Sequence, residues 1–283
     1  MTVLLYAAVV LCALSQSTLD KLDRRGDAVR YNFFKAFAAC IVFFGAFFVS
    51  REGFHAPTFY YGIAQGALFA LANFAGYQAL HKGPMALTSM LVKFSLIIPF
   101  LFGVIRLQER PSAAACAGFV LLFAALACLN LHRGSRKKKP LTLTWALLVL
   151  ATLLANGFTS VLTSAHQNAY PGEYAWGYTA WATASCLVFF LIPALLSGRL
   201  LRKHADLRAD ALACTSGTAN TLSSFLTVLL AAAVPATVLY PLLSVTMMLG
   251  ALLLGRLLFR EKLSAPQYVG FAFGVASVVL LNL

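Results

Sequence analysis

Residues 43–49 read Phe43-Phe44-Gly45-Ala46-Phe47-Phe48-Val49, and residues 251–254 read Ala251-Leu252-Leu253-Leu254, with no polar side chain at any position of either run. A membrane barrel strand alternates apolar and polar residues, so these runs are helical. A bilayer core of about 30 Å takes about 20 helical residues, and only helices or closed barrels satisfy every backbone group in lipid. Measured outward from these runs, ten segments fit that length: residues 2–19, 31–50, 57–80, 84–105, 111–132, 141–164, 173–197, 209–231, 235–258 and 264–283. Several gaps carry Pro or Gly where a helix stops or starts, at Gly83-Pro84, Arg110-Pro111, Pro140, Pro171-Gly172 and Pro235.

Composition agrees with lipid as the main solvent. Hydrophobic residues make up 60% of the 283 and charged residues 11%, with a mean hydropathy of +0.81. A net charge of +13 would suit nucleic acid if it formed one basic face, but the Lys and Arg residues sit in short gaps between apolar segments and read as topology signals. The six cysteines (Cys12, Cys40, Cys116, Cys128, Cys186 and Cys214) lie inside apolar segments with no CxxC pair and no histidine at metal-ligand spacing, which reads as buried membrane thiols. The first segment lacks a basic leader and a small-residue cleavage signal, so it is expected to remain as the first helix.

The longest basic gap, residues 133–140, divides the ten segments five and five, giving repeats over 1–132 and 141–283. The halves align across it. Glu109-Arg110-Pro111-Ser112-Ala113 followed by Gly118-Phe119 lies over Glu261-Lys262-Leu263-Ser264-Ala265 followed by Gly270-Phe271, with Glu and Gly nine residues apart in both, and each copy runs on to an Asn-Leu pair, Asn130-Leu131 and Asn282-Leu283. An odd number of helices per repeat places the copies in opposite membrane orientations. The expected fold is therefore an all-α integral membrane protein of ten transmembrane helices, as two inverted five-helix repeats. Of the 22 Lys and Arg residues, Lys35 and Lys93 lie within spans, Arg51, Arg106 and Arg110 lie in even-numbered gaps, and the other 17 lie in odd-numbered gaps. The positive-inside rule makes the odd gaps cytoplasmic and both chain ends external.

The run Ala79-Leu80, Gly83-Pro84-Met85-Ala86, Pro99, Glu109-Arg110-Pro111-Ser112 and Gly118 resembles the drug/metabolite transporter superfamily, particularly its ten-helix EamA-like members. Asn32-Phe33-Phe34-Lys35-Ala36 is similar to the family's basic residue followed by aromatic and small residues, with Lys in place of the commoner Arg. The resemblance implies export or exchange of small metabolites, including amino acids, nucleotide sugars and cationic drugs. It also implies cytoplasmic termini, opposite to the charge count. The related four-helix multidrug pumps carry a glutamate inside helix 1, where this chain has Ala13, Leu14, Ser15 and Gln16; all nine acids lie at or outside span ends. A buried carboxylate proton relay is therefore not expected, which weakens a lipophilic-cation pump reading.

Polar residues at helical spacing within spans mark the bundle interior or a wet cavity. Gly62, Gly66, Asn73 and Tyr77 share one face of the third span, Thr152, Asn156, Thr159 and Thr163 one face of the sixth, and Ser216, Asn220, Ser223 and Thr227 one face of the eighth. Such stripes either line a cavity or glue helices together. Trp181 lies deeper than the interfacial belt of Tyr170, Tyr174, Trp176 and Tyr178 and is a candidate to stack on a substrate. Lys93 is the one charged residue near the middle of a span, where an ammonium costs several kcal/mol unless hydrated, paired or neutral. The candidate substrate-binding residues are thus Lys93, Asn73, Tyr77, Asn156, Thr159, Trp181 and Asn220. Glu109 and Glu261, at span ends beside cations, read as local ion pairs.

The expected function is secondary active transport, as exporter or exchanger, of small polar metabolites such as amino acids or other anionic or zwitterionic compounds. The competing readings are a multidrug or cation efflux transporter and an intramembrane lipid-modifying enzyme. The enzyme needs clustered acid, base or nucleophile groups, whereas His55, His81, His132, His166 and His204 are scattered near span ends without acidic partners. No ATP-binding P-loop is present. No catalytic residue, metal or cofactor is expected; the expected partners are the small-molecule substrate and the lipid bilayer, in the plasma (inner) membrane as a multi-pass protein, and not nucleic acid. Gly270 and Gly274 form a GxxxG that serves either a homodimer face or internal packing.

Overall fold

The structure, a computed structural model, describes residues 2–22, 28–82, 88, 91–130, 142–196, 207–259 and 265–281. Every regular element among them is helical. The α-helices are α1 (Thr2–Leu22), α2 (Ala28–Ser50), α3 (Ala56–Lys82), α4 (Ile97–Ile105), α5 (Ala113–Asn130), α6 (Leu143–Ala169), α7 (Ala175–Leu196), α8 (Leu207–Ala231), α9 (Ala236–Phe259) and α10 (Ala265–Leu281), and a 3₁₀ turn over Phe94–Leu96 precedes α4. Within α2, Val29–Ser50 is long and apolar enough to cross a membrane, as are α6 and α7; α1, α4 with the turn before it, α5, α9 and α10 contain shorter apolar stretches. The linker at residues 133–140, residues 83–86, Glu261 and Asn282 lie outside the described residues.

Each predicted span has a helical counterpart, and the differences have local causes. α6 runs to Ala169, past the predicted end at 164, because Pro171-Gly172 is the true stop: Gly172 has φ +75° and closes the turn. The fourth segment is not the continuous helix expected over 84–105. Pro99 has no N–H for the Ser95 carbonyl and its ring crowds that carbonyl, so the chain tightens into the 3₁₀ turn, whose following residue Ile97 donates to the Phe94 carbonyl.

The chain forms two compact units. The first comprises residues Met1–Ala70 and Leu162–Ala233, the second residues Leu71–Val161 and Val234–Leu283. The helices α3 and α6, of 27 residues each, contribute to both.

In the first unit α1 packs on α8, and α2 packs on α7 and α8. Phe43, Ala175, Tyr178, Phe225 and Val228 form a core, with Trp176 stacked on Phe225 at 4.0 Å between ring centroids. The two glycines predicted in the stripe of the third span seat α3 on α7: a Cβ on Gly62 would lie 2.7 Å from the Trp181 Cβ, and one on Gly66 would overlap the Ala182 carbonyl oxygen. Backbones approach this closely only where one helix carries no side chain. Ser223 Oγ donates to the Val9 carbonyl at 3.1 Å, tying α8 to α1.

Arg30, which the sequence suggests is a loop charge, lies instead in the first turn of α2, 8% exposed. Its guanidinium grips Asp210 in the first turn of α8, with Nη2 2.8 Å from Oδ2 and Nε 3.3 Å from Oδ1. The planar fork satisfies both carboxylate oxygens, as a buried pair requires.

In the second unit α5 packs on α10, while α9 packs on α10 and α4. Ser277 Oγ donates to the Gly118 carbonyl at 2.7 Å, and Gly274 sits under Leu249 of α9, so one glycine of the α10 GxxxG serves internal packing. Ala79, Trp145 and Val149 form a core with Leu91 and Val92, and Trp145 Nε1 donates to Thr88 Oγ1 at 2.9 Å.

Candidate functional site

Lys93 ends the helical turn Leu91–Lys93, immediately before the 3₁₀ break. Its side chain is exposed and makes no hydrogen bond or ion pair among the described residues. α6 runs against this segment, since a Cβ on Gly157 would overlap the Ile98 side chain, and against α3, where Gly76 lies under Thr152. Asn73, Lys93, Asn156 and Thr159 therefore sit on helices that touch one another in the second unit.

Three hydroxyls of α6 turn back onto their own helix, while Thr163 Oγ1 pairs with the Tyr178 hydroxyl at 3.1 Å. Thr152 Oγ1 donates to the Leu148 carbonyl at 2.8 Å, and the Asn156 carbonyl accepts both Thr159 Oγ1 at 2.7 Å and Ser160 Oγ at 3.4 Å. Such back-bonding satisfies a hydroxyl in a dry helix. The half-buried Asn156 amide, by contrast, makes no side-chain hydrogen bond among the described residues. A cation and an amide without hydrogen-bond partners among the described residues are groups available to an anionic or zwitterionic ligand. Asn73 is half-buried and has partners within the protein, as does Thr159; the Tyr77 side chain lies outside the described residues.

Trp181 and Asn220 belong to the first unit. Trp181 is enclosed edge to face by Phe44, Phe47, Phe54 and Phe59, at centroid distances of 5.3, 6.4, 6.2 and 4.9 Å. Asn220 lies between Ser216, fully buried, and Ser223, which bonds α1, on the face of α8 that meets α1.

Glu109 makes no ion pair among the described residues, contrary to the sequence reading. Its two carboxylate oxygens each accept a backbone N–H at 2.8 Å, from Ala236 and Thr237, and so cap the N-terminus of α9.

The sequence also gives no hint that His55 and His166 meet. The Thr58 hydroxyl lies 2.9 Å from His55 Nδ1 and 2.9 Å from His166 Nε2, and Gln167 Nε2 lies 3.0 Å from His166 Nδ1. Nothing in the local sequence marks this pair, since it requires the start of α3 to meet the last turn of α6. Beside it an open cleft of ≈ 510 Å³ is lined by Ala56, Pro57, Tyr60, Tyr61, Ala64 and Leu162, and the Tyr61 ring lies 5.6 Å from that of His166. Among the described residues no three His, Cys, Asp or Glu side chains are grouped to hold a metal ion.

No family model matches this chain, and no curated protein matches it. Its fold is that of a solved structure described only as "Crystal structure of protein", with a TM-score of 0.74 and 17% identity over 99% of this chain and 98% of that one.

Proposed function

We propose that the chain is a ten-helix membrane transporter of two inverted five-helix repeats, of the drug/metabolite transporter type, that exports or exchanges small anionic or zwitterionic metabolites such as amino acids. The observation that carries this reading is the break at Lys93. Transporters place substrate where a spanning helix is interrupted near the bilayer midplane, because irregular backbone is tolerated there only beside a cavity. Here a 3₁₀ turn interrupts an apolar segment at an exposed lysine that makes no hydrogen bond or ion pair among the described residues. Asn156 on the neighbouring α6 offers an amide to the same ligand.

The test is flux into liposomes carrying the purified protein, with labelled amino acids, dicarboxylates and sugar phosphates as the panel. Lys93→Met keeps the length and removes the charge, so flux should fall at least tenfold while thermal stability holds or rises. Unchanged flux in the variant would make Lys93 a structural amine, and absence of flux for every ligand that stabilises the protein would remove the transport reading.

A further inference from the structure

The contacts around His166 fix the direction of every hydrogen bond in the chain that contains it. The Gly172 backbone N–H can only donate, and it reaches Gln167 Oε1 at 3.0 Å. This orients the Gln167 amide, so its NH₂ end faces His166 Nδ1 at 3.0 Å, and Nδ1 must be the bare, accepting nitrogen. The ring proton of His166 is then on Nε2 and donates to Thr58 Oγ1. The single proton of Thr58 is left to donate to His55 Nδ1, which must also be bare. The sequence Gly172 → Gln167 → His166 → Thr58 → His55 is complete only while both rings are neutral.

Thr58, His166 and Gln167 are 2%, 0% and 1% exposed, so none has water as a substitute partner; His55 is half-buried at the outer end. The titratable groups facing the rings are phenols. Tyr61 of α3, Tyr178 of α7 and Tyr170 of the α6–α7 turn surround His166, with centroids at 5.6, 4.6 and 5.5 Å. Tyr170 and Tyr174 flank His55 at 4.7 and 4.3 Å, Tyr174 stacked face to face. No carboxylate hydrogen-bonds either ring among the described residues: Glu52 is engaged at the start of α7, and Glu173 is exposed.

We propose that the His55–Thr58–His166 chain is a proton-binding site, loaded from His55, and that taking up a proton releases the α6–α7 turn. A proton placed on His55 Nδ1 meets the Thr58 hydroxyl proton head-on. Thr58 can turn its proton off both rings and accept from each, which leaves that proton without an acceptor among the bonds described, or it can donate to His166 Nε2, in which case His166 holds its proton on Nδ1 and meets the Gln167 NH₂ group. A buried bond is lost in either case; in the second the Gln167 amide must turn over to accept from Nδ1, and the Gly172 N–H loses its acceptor in a turn with φ +75° at Gly172 and +53° at Tyr174, which stacks on His55. The chain is intact while both rings are neutral and is lost when falling pH places a proton on it. As the coupling ion of a transporter this proton rests on the function proposed above; as a bound proton it does not.

The experiment uses the full-length protein in detergent. Between pH 7.5 and 5.0 the wild-type unfolding midpoint should drop by several degrees and chymotryptic cleavage after Tyr174, measured against an unfolded substrate at the same pH, should rise severalfold. Thr58→Val should lower the midpoint at pH 7.5 and flatten the pH dependence, and His166→Gln should do the same. If Thr58→Val does not fold, wild-type cleavage against pH decides alone. Cleavage independent of pH, or the same pH dependence in both variants as in wild type, overturns the site. In liposomes, flux insensitive to a pH gradient would overturn coupling while leaving transport standing. The pH response in protein without flux would leave the site standing and overturn the transport reading.

Discussion

Each compact unit contains the same device, built with different precision. In the first, α2 ends at Ser50, Arg51 adopts φ +55°, and the next residue, Glu52, reaches the start of α7, with N–H groups of Gly177 at 2.8 Å and Trp176 at 3.4 Å. In the second, α4 gives way to Gln108 at φ +56°, and the next residue, Glu109, reaches the start of α9 with both oxygens at 2.8 Å. A left-handed residue followed at once by glutamate thus turns an acid from one helix end onto the N-terminus of a helix far along the chain. The difference lies in how the acid is held. The Glu109 N–H donates to the Gly103 carbonyl six positions back at 3.0 Å, whereas among the described residues the Glu52 N–H has only the Ser50 hydroxyl at 3.4 Å. A fixed backbone gives a symmetric grip and a loose one gives a lopsided grip.

The largest expected break in this comparison comes from the glycine contacts. Gly66→Ala in the first unit drives a methyl into the Ala182 carbonyl, which is backbone and cannot move aside, and should cost about 3 kcal/mol. Gly157→Ala in the second unit meets the Ile98 side chain, whose Cδ1 can swing aside but whose Cβ, 2.7 Å away, yields only if α4 shifts, and should cost about 2 kcal/mol. Thermal unfolding in detergent ranks the two, and equal losses would show that α4 is as rigid as α7. Next come the acids. Glu109→Ala removes two short charge-assisted bonds and should cost about 2 kcal/mol, against about 1 kcal/mol for Glu52→Ala. The reverse order would mean that distance does not measure the grip. The smallest effects are at the two residues held at positive φ: Arg51→Gly relieves that conformation and should raise stability by up to about 1 kcal/mol, whereas Gln108→Gly gives the same relief but removes the 2.7 Å bond from Gln108 Nε2 to the Ile105 carbonyl and should leave stability level. A loss at Arg51, or a gain at Gln108 as large as that at Arg51, would break this distinction.

Much of this fold is legible in the sequence because apolar run length is a local property. Spans such as 31–50, 111–132 and 235–258 reappear as α2, α5 and α9 with ends moved by a few residues. The interruption at residues 94–96 is less legible: Pro99 was visible, but Pro193 and Pro241 sit inside α7 and α9, which stay α-helical throughout, so proline alone does not announce a break. The three polar stripes were visible as faces. What they do was not, because a threonine that bonds its own carbonyl and one that faces a ligand have the same spacing. The histidine pair was illegible for a different reason. It joins residues 55 and 166 through a hydroxyl between them, and pairing of chain ends is set by the whole packing and not by any window of sequence.

The Arg30–Asp210 pair joins residues 180 positions apart. At roughly 5–20 residues per second, synthesis of the aspartate lags the arginine by roughly 10–40 s. Throughout that interval the Arg30 guanidinium lacks the Asp210 carboxylate, and the pair closes only when α8 arrives. The arginine is thus a latch fitted long before its catch, and Arg30→Met would leave the Asp210 carboxylate in its buried site without the guanidinium that grips it.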